Sequence, residues 1–269
     1  MNAERVTVDD GEVAVLVEGT GEQVLLVHGA VMAEALAPSS ALLADRWRCA
    51  RIHRRGFGES SRPANASTAA DARDCLAVLD ALGAPRAHVV GWSMGALVAL
   101  ETAATAPERT ASLTLFEPPI MSVPAAGEMA ALLGPVMEAW QAGDTDTALD
   151  RFMAAVWGPQ WRRESDELIP GAVAAARRDA AATFEGDLVA ATAWAPDPTL
   201  GAGLTCPVLT VGGAASGPFF AQGRRAVRDL LPQTRDVEVP GGNHSVPAVR
   251  AAEFAAIVSA FLTEPARVG

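Results

Sequence analysis

The sequence predicts an α/β fold in which a mostly parallel, eight-stranded sheet carries helices on both faces. Short runs rich in β-branched residues alternate with helical stretches along most of the chain, and glycine or proline follows most of these runs. The 269 residues are 50% hydrophobic, which is enough to bury one large core. These observations favour one α/β domain of generous size.

The first two predicted strands form a hairpin, because residues 6–8 and 13–17 flank the turn signal Asp9-Asp10-Gly11. Six later runs are expected to form the parallel part of the sheet. These runs are residues 24–27, 49–52, 88–90, 113–115, 207–211 and 237–239.

Three helices are predicted around this sheet. Residues 70–82 place Cys75 and Leu79 on one face and end at Gly83. Residues 94–105 are apolar almost all round, as expected of a helix buried against the sheet, and residues 251–262 close the fold.

Between residue 118 and about residue 200 the strand pattern disappears and only helical segments remain. We expect this insertion after the sixth strand to form a helical cap over the carboxyl edge of the sheet. The predicted division is a core of residues 1–118 and 201–269 with a cap of residues 119–200. Apolar cap side chains such as Trp140 either pack the cap onto the core or line a pocket.

Composition excludes several classes of function. The formal net charge of −11 and the pI of about 4.8 argue against binding to nucleic acid, which needs a basic surface. No apolar run of about 18 residues is present, so no membrane span is expected. The charged N-terminal segment resembles neither a secretory signal nor an anchor, and we expect a cytoplasmic protein.

The three cysteines, Cys49, Cys75 and Cys206, are odd in number and widely spaced, which is typical of buried reduced thiols rather than of a disulfide or a metal site. Neither a metal nor a cofactor is expected. The expected partner is a small molecule, and both a monomer and a homodimer remain open.

The segment Gly91-Trp92-Ser93-Met94-Gly95 carries the most specific motif of the chain. It follows a predicted strand and precedes a predicted helix, as a G-x-S-x-G nucleophile elbow requires. The turn is so tight that a Cβ at either glycine would strike a neighbouring strand or helix. Ser93 is therefore the candidate nucleophile, and the alternative is a serine that only caps the helix.

A serine nucleophile needs a base, and His244 is the best candidate among the four histidines. His28 belongs to a His-Gly turn, His53 ends a strand and His88 begins one. His244 follows the last predicted strand and precedes the last helix. A neutral imidazole there can take the Ser93 proton and pass it to a leaving group.

Glu117 is the candidate for the third group, which holds the histidine in the correct tautomer. The segment from Thr205 to Arg228, which follows or includes the seventh strand, contains no carboxylate. Glu117 ends the neighbouring strand, and we expect Pro118 to confine its backbone to an extended conformation. The alternative is a solvated glutamate at a strand end.

Acyl transfer also needs donors for an oxyanion. The expected donors are the backbone N–H groups of Met94, after the nucleophile, and of Ala30, in the loop after the third strand. Further candidates for substrate contact flank these positions or lie in the cap. They are Gly29, Val31, Trp92, Pro118, Met153, Trp157, Trp194 and Phe220.

The motifs at His28-Gly29, Arg55 to Ser60, Gly91 to Gly95 and His244 resemble the α/β-hydrolase superfamily. Within it, Glu117, the carboxylate-free segment after residue 210 and Gly242-Asn243-His244 resemble the fungal zearalenone-type lactonases. That resemblance implies a Ser-His-Glu triad of Ser93, His244 and Glu117, oxyanion donors at Ala30 and Met94, and no cofactor. It covers the core better than the cap.

The sequence therefore predicts a serine hydrolase that cleaves a hydrophobic carboxylic ester or lactone, with a zearalenone-like macrolactone as one possibility. A carbon–carbon bond hydrolase or a thioesterase would use the same triad. Haloalkane dehalogenases and epoxide hydrolases are disfavoured, because both carry Asp at the position of Ser93. From another class, the chain could be a ligand-binding protein on a hydrolase scaffold.

Overall fold

The computed structural model describes residues 3–64, 67–197 and 199–264. Its eight-stranded sheet has the order β1-β2-β4-β3-β5-β6-β7-β8. The strands are β1 (Glu4–Val8), β2 (Gly11–Glu18), β3 (Gln23–Val27), β4 (Arg48–His53), β5 (Ala87–Trp92), β6 (Thr110–Phe116), β7 (Val208–Gly213) and β8 (Arg235–Val239). The predicted fold class is confirmed, and each of the eight predicted runs coincides with one of these strands, except that Pro207 precedes β7.

The strands β3 to β8 are mutually parallel, whereas β1 pairs antiparallel with β2 and β2 antiparallel with β4. The chain leaves β3 for β4 on one side and later places β5 on the other side. This change of direction opens a crevice between β3 and β5 at the carboxyl edge, where parallel sheets bind their ligands. The predicted hairpin turn lies between β1 and β2.

Helices cover both faces of the sheet. They are α1 (Ala37–Leu43), α2 (Thr68–Ala81), α3 (Met94–Thr105), α4 (Ala126–Gln141), α5 (Thr145–Val156), α6 (Trp161–Leu168), α7 (Ala172–Arg178), α8 (Leu188–Ala193), α9 (Leu200–Gly203), α10 (Pro218–Leu230), α11 (Val246–Val249) and α12 (Ala251–Leu262). A 3-10 turn spans Pro107–Arg109, and a π-helical turn spans Ala182–Asp187.

The predicted bounds of α3 and α12 are confirmed, and α2 begins two residues earlier than predicted. Its start is set by Ser67, whose hydroxyl accepts a hydrogen bond from the Ala70 N–H.

Strand β3 shows why the sheet is buried on both faces. Its alternate residues Leu25 and Val27 pack with α2 and α3 in one apolar cluster, while Val24 and Leu26 pack with α1 and α12 in another. The sheet is therefore packed on both faces, and the loops at its carboxyl edge are attached to buried strands.

The segment between β6 and β7 contains α4 to α8 and the π-helical turn, and we call it the cap. Gly143 lies between α4 and α5, and Gly171 precedes α7. The carbonyl oxygen of Trp157, at the end of α5, accepts a hydrogen bond of 2.6 Å from the Asn243 side chain. This contact ties the cap to the loop after β8. The division into a core and a separate cap domain stays a prediction.

Candidate active site

Ser93 lies in the turn between β5 and α3. Its backbone has φ 55° and ψ −121°, a strained conformation that costs a residue with a side chain about 1–3 kcal/mol. The Ser93 N–H donates a hydrogen bond of 2.8 Å to the carbonyl oxygen of Phe116 in β6, which fixes the turn against the sheet. The serine therefore stands at the carboxyl edge and at the N-terminus of a buried helix.

The two glycines of the elbow are needed for steric reasons. A Cβ on Gly91 would lie 2.2 Å from the carbonyl oxygen of Gly95, and a Cβ on Gly95 would lie 2.1 Å from that of Val27. Both distances are far below any van der Waals contact, so α3 packs onto β3 and β5 only because these side chains are missing. This is the packing reason expected from the motif.

His244 and Glu117 form a buried hydrogen-bonded pair. Nδ1 of His244 lies 2.5 Å from Oε2 of Glu117, and Oε1 of Glu117 accepts a hydrogen bond of 2.6 Å from the Gly213 N–H. An ionised carboxylate only accepts hydrogen bonds, so Nδ1 is the donor and Nε2 of His244 keeps its lone pair. The Phe220 ring stacks on the imidazole with 4.1 Å between ring centroids, which restricts the ring from one side.

The end of β7 supports Glu117 although it carries no carboxylate of its own. Its last residue, Gly213, supplies the N–H that Glu117 accepts, and a Cβ there would lie 2.3 Å from the carbonyl oxygen of Gly242. Glycine therefore lets the loop before His244 approach β7 closely. The acid reaches the histidine from β6, one strand nearer to Ser93.

The backbone of Glu117 is not extended, so the expectation based on Pro118 is wrong. Its φ is 48°, in the left-handed region. The Glu117 N–H still donates to the carbonyl oxygen of Val211 in β7, and its side chain is only 1% exposed. These contacts and the two hydrogen bonds of the carboxylate outweigh the backbone preference of a residue before proline.

The loop after β3, residues 28–31, faces Ser93 closely. A Cβ on Gly29 would lie 3.8 Å from the Ser93 hydroxyl oxygen, and Ala30 lines the same cavities as Ser93. Nε2 of His28 accepts a hydrogen bond from the Arg54 N–H, so its Nδ1 carries the proton that is donated to the carbonyl oxygen of Gly29 at 2.6 Å. Burial and then the charge of Arg54 lower the pKa of His28 well below its usual value, so the ring is neutral.

Among the described residues, three residues other than glycine have a positive φ, and all three belong to this region. They are Val31 at 74°, Ser93 at 55° and Glu117 at 48°. Such strain of about 1–3 kcal/mol per residue persists where the surrounding contacts over-determine the backbone, as they do at functional sites. The strain supports the site that the motif predicts.

Two cavities meet at Ser93 beneath the cap. Chamber 1 is lined by Gly29, Ala30, Met32, Ala35, Trp92, Ser93, Phe152, Met153, Val156, Trp157 and His244. Chamber 2 is lined by Ala30, Ser93, Met94, Pro119, Met121, Met129, Leu133, Phe152, Val156, Asp187, Leu188, Ala191, Thr192, Phe219 and Phe220. Ala30, Ser93, Phe152 and Val156 border both. Apolar side chains dominate both linings.

Five of the eight predicted substrate contacts line a chamber: Gly29, Trp92, Met153 and Trp157 border chamber 1, and Phe220 borders chamber 2. The other three lie outside both linings. Val31 is fully buried in the core, Pro118 is buried beside Gly223, and the Trp194 indole N–H donates to Glu101 at 2.7 Å. Their side chains pack against the protein instead.

For several residues of the site, the sequence alone does not indicate that they belong to it. Phe152 and Val156 lie one turn apart on α5, and helical spacing alone places them equally well in the core or in a pocket. Arg54 and Asp187 form a buried ion pair with N–O distances of 2.7 and 2.8 Å. Arg54 and Asp187 lie 133 positions apart, so only the folded chain brings them together.

No group of three or more His, Cys, Asp or Glu side chains is placed to hold a metal ion in the described ranges. Within the same ranges, no helix combines the length and the apolar character needed to cross a bilayer.

A family model described as the alpha/beta hydrolase fold matches residues 15–251. The chain is an α/β-hydrolase. Its sequence is 38% identical over 150 residues to a pimeloyl-[acyl-carrier protein] methyl ester esterase of Methylococcus capsulatus. That match covers 54% of this α/β-hydrolase and 58% of the esterase, which is less than two thirds of its length.

Solved structures agree with the fold over nearly the whole chain. A thermophilic esterase from Thermogutta terrifontis matches with a TM-score of 0.77 at 23% identity, covering 97% of this chain and 98% of the esterase. An enol-lactonase from Burkholderia xenovorans matches with a TM-score of 0.76 at 22% identity, covering 97% of this chain and 100% of the lactonase. At these identities the likeness concerns the fold.

Proposed function

We propose that this α/β-hydrolase cleaves uncharged, hydrophobic carboxylic esters, lactones included, through an acyl-enzyme on Ser93. The observation that carries the proposal is the buried His244–Glu117 pair, with 2.5 Å between Nδ1 and Oε2, whose histidine lines chamber 1 together with the strained Ser93 at a helix N-terminus. The similarity to a methyl ester esterase supports the same reaction class.

In the acylation step, Ser93 Oγ attacks the carbonyl carbon while Nε2 of His244 takes its proton. Glu117 holds the imidazole in the tautomer that can accept this proton and stabilises the imidazolium that forms. The bond from the carbonyl carbon to the alcohol oxygen then breaks, and His244 returns the proton to that oxygen. A linear ester releases an alcohol, whereas a lactone keeps it attached to the acyl group.

The negative oxygen of the tetrahedral intermediate is stabilised by the N–H groups of Ala30 and Met94. Met94 is the first residue of α3, where the N–H has no partner within the helix and the helix dipole favours negative charge. In deacylation, His244 takes a proton from a water molecule that attacks the acyl carbon. Ser93 regains its proton and the acid leaves.

The apolar linings of the two chambers indicate an uncharged, hydrophobic substrate. Their linings are dominated by alanine, methionine, leucine and aromatic side chains, and Asp187, the acidic residue in chamber 2, is already paired with Arg54. A charged acyl group would lose its hydration there without a partner. Two apolar arms that meet at the nucleophile suit an ester or lactone whose carbonyl is flanked by apolar groups.

A fluorophosphonate probe and a substrate panel test this proposal. We expect covalent labelling at Ser93, hydrolysis of aryl esters and of an apolar macrolactone, and no labelling or turnover in Ser93→Ala. The matched control is Ser112→Ala, because the Ser112 hydroxyl also contacts a histidine ring, His88 Nδ1 at 2.8 Å, but lies towards the opposite edge of the sheet. That variant should keep its activity.

The outcome separates the competing functions. Absence of labelling in a folded protein rejects the proposal and favours the ligand-binding alternative. Labelling combined with turnover of thioesters or of carbon–carbon bonds, but not of esters, keeps the nucleophile and rejects the substrate class.

A further inference from the structure

We propose that the π-helical turn of the cap, Ala182–Asp187, positions the oxyanion donor Ala30: Thr183 acts through Val31, and Asp187 acts through Arg54. This inference rests on the proposed function, since it concerns the donor that the reaction uses. Thr183 and Asp187 are positioning residues in this role, because Thr183 accepts a hydrogen bond from the Val31 N–H and Asp187 accepts hydrogen bonds from Arg54.

The first step of the argument concerns the peptide plane between Gly29 and Ala30. A peptide unit is planar, so its C=O and N–H directions are fixed relative to each other. The carbonyl oxygen of Gly29 accepts hydrogen bonds from His28 Nδ1 at 2.6 Å and from Arg54 Nη2 at 3.1 Å. Holding this carbonyl therefore aims the Ala30 N–H.

The next peptide plane is held from the cap. The Val31 N–H donates a hydrogen bond of 3.0 Å to Thr183 Oγ1, and both residues are fully buried. Val31 is β-branched and has a φ of 74°, a conformation it adopts only under constraint. The Thr183 contact supplies such a constraint, so both planes that flank Ala30 have fixed orientations.

Asp187 fixes the guanidinium that holds Gly29. Its two carboxylate oxygens accept from Nη1 and Nη2 of Arg54 at 2.7 and 2.8 Å, and Nη1 also lies 3.0 Å from Asp71 in α2. A bidentate pair of this kind restricts direction as well as distance. The Arg54 charge also polarises the Gly29–Ala30 peptide, which makes the Ala30 N–H a better donor.

Thr183 and Asp187 are four residues apart, about one turn of helix, and their contacts show that both face the Ala30 side. A π-helical turn inserts one residue into a helix and commonly occurs at functional sites. The orientation of the oxyanion donor Ala30 therefore depends on contacts that the cap makes with the core.

The test uses Thr183→Val, which keeps the shape of the side chain and removes the acceptor for the Val31 N–H. Removing a whole oxyanion donor costs about 10²–10³ in turnover, so a misdirected donor should cost about tenfold in kcat with KM unchanged within about twofold. A boronic acid that forms a tetrahedral adduct on Ser93 should bind about tenfold more weakly. A phenol that mimics the leaving group should bind as before.

Two further variants control the result. Thr183→Ser keeps the hydroxyl and should restore kcat to within about threefold of the wild type. Thr114→Val makes the same change at a fully buried threonine whose hydroxyl has no hydrogen-bond partner among the described residues, and it should leave kcat unchanged. If Thr183→Val does not fold, Asp187→Asn takes its place with the same ratio of boronate to phenol binding as the readout.

The inference is overturned if kcat of folded Thr183→Val matches the wild type, if boronate binding is unaffected, or if Thr183→Ser does not restore turnover. Fluorophosphonate labelling separates this failure from that of the proposed function. A wild-type protein that is labelled at Ser93 while Thr183→Val turns over normally rejects only the positioning role.

Discussion

Glutamine in place of Glu117 keeps the shape of the side chain but changes which groups can accept a hydrogen bond. The Gly213 N–H lies 2.6 Å from Oε1 and needs an oxygen there, so the new amide nitrogen is directed at Nδ1 of His244. An NH₂ group only donates, so Nδ1 must accept and the ring proton moves to Nε2. The Ser93 proton then has no acceptor.

The expected loss is large. The corresponding Asp→Asn change in a Ser-His-Asp protease lowers kcat about 10⁴-fold, and at 1.36 kcal/mol for each factor of ten this is about 5 kcal/mol of transition-state stabilisation. Glu117 is 1% exposed, so water cannot replace the carboxylate as a partner of His244. We therefore expect a loss of about 10³–10⁴ in kcat.

The assay is steady-state hydrolysis of an aryl ester, which gives kcat and KM, with the thermal melt as a check of folding. The control is Glu22→Gln, which neutralises the carboxylate of a different His–Glu contact, the one between His88 and Glu22 at 3.3 Å near the amino end of β3. That variant should turn over normally. A folded Glu117→Gln protein with kcat within about tenfold of the wild type would refute the reasoning.

Three other changes probe the fold. Gly95→Ala places a Cβ 2.1 Å from the carbonyl oxygen of Val27 and should abolish folding. The control is Gly127→Ala on α4, where a Cβ meets no atom within 4 Å and alanine should raise the melting temperature. Equal melting temperatures for the two variants would contradict the packing argument. Native protein should not react with a thiol reagent at pH 8, because the cysteines are buried and burial raises the pKa of each thiol. Denaturation should expose three reactive thiols. Reaction of any cysteine in the native protein would contradict their burial. The thiols are those of Cys49, Cys75 and Cys206. Arg54→Met should lower the free energy of unfolding by about 3–5 kcal/mol at pH 8, because Asp187 stays buried without its cation. Burial raises the pKa of Asp187, so this carboxylate binds a proton more strongly in the folded variant than in the unfolded chain. The loss of stability caused by Arg54→Met should therefore be smaller at pH 5 than at pH 8. Equal losses in urea titrations at the two pH values would contradict this expectation.

The strands, the helix α3 and the elbow could be predicted because each depends on neighbours in the chain. Gly91 and Gly95 predict a tight turn, and the apolar run of α3 predicts a buried helix. Glu117 could be proposed as the acid because carboxyl ends of parallel strands share one edge, which brings it towards His244 from a neighbouring strand.

The conformation of Glu117 could not be predicted. The local rule for a residue before proline favours an extended backbone, but Glu117 has a φ of 48° because His244 and Gly213 hold its carboxylate. Those contacts join β6 to β7 and to the loop after β8. The free energy of these buried tertiary hydrogen bonds outweighs the cost of the unfavourable backbone conformation of Glu117.

By itself, the sequence determined the α/β architecture, the strained serine turn and the residue types available for acid–base chemistry, because periodicity and tight turns are local properties. The tertiary structure alone decided which cap residues border the chambers and how Ala30 is held. The Val31–Thr183 hydrogen bond spans 152 positions and the Arg54–Asp187 pair spans 133. No local pattern encodes such pairs, since burial and direction at these residues follow from how the cap packs on the sheet.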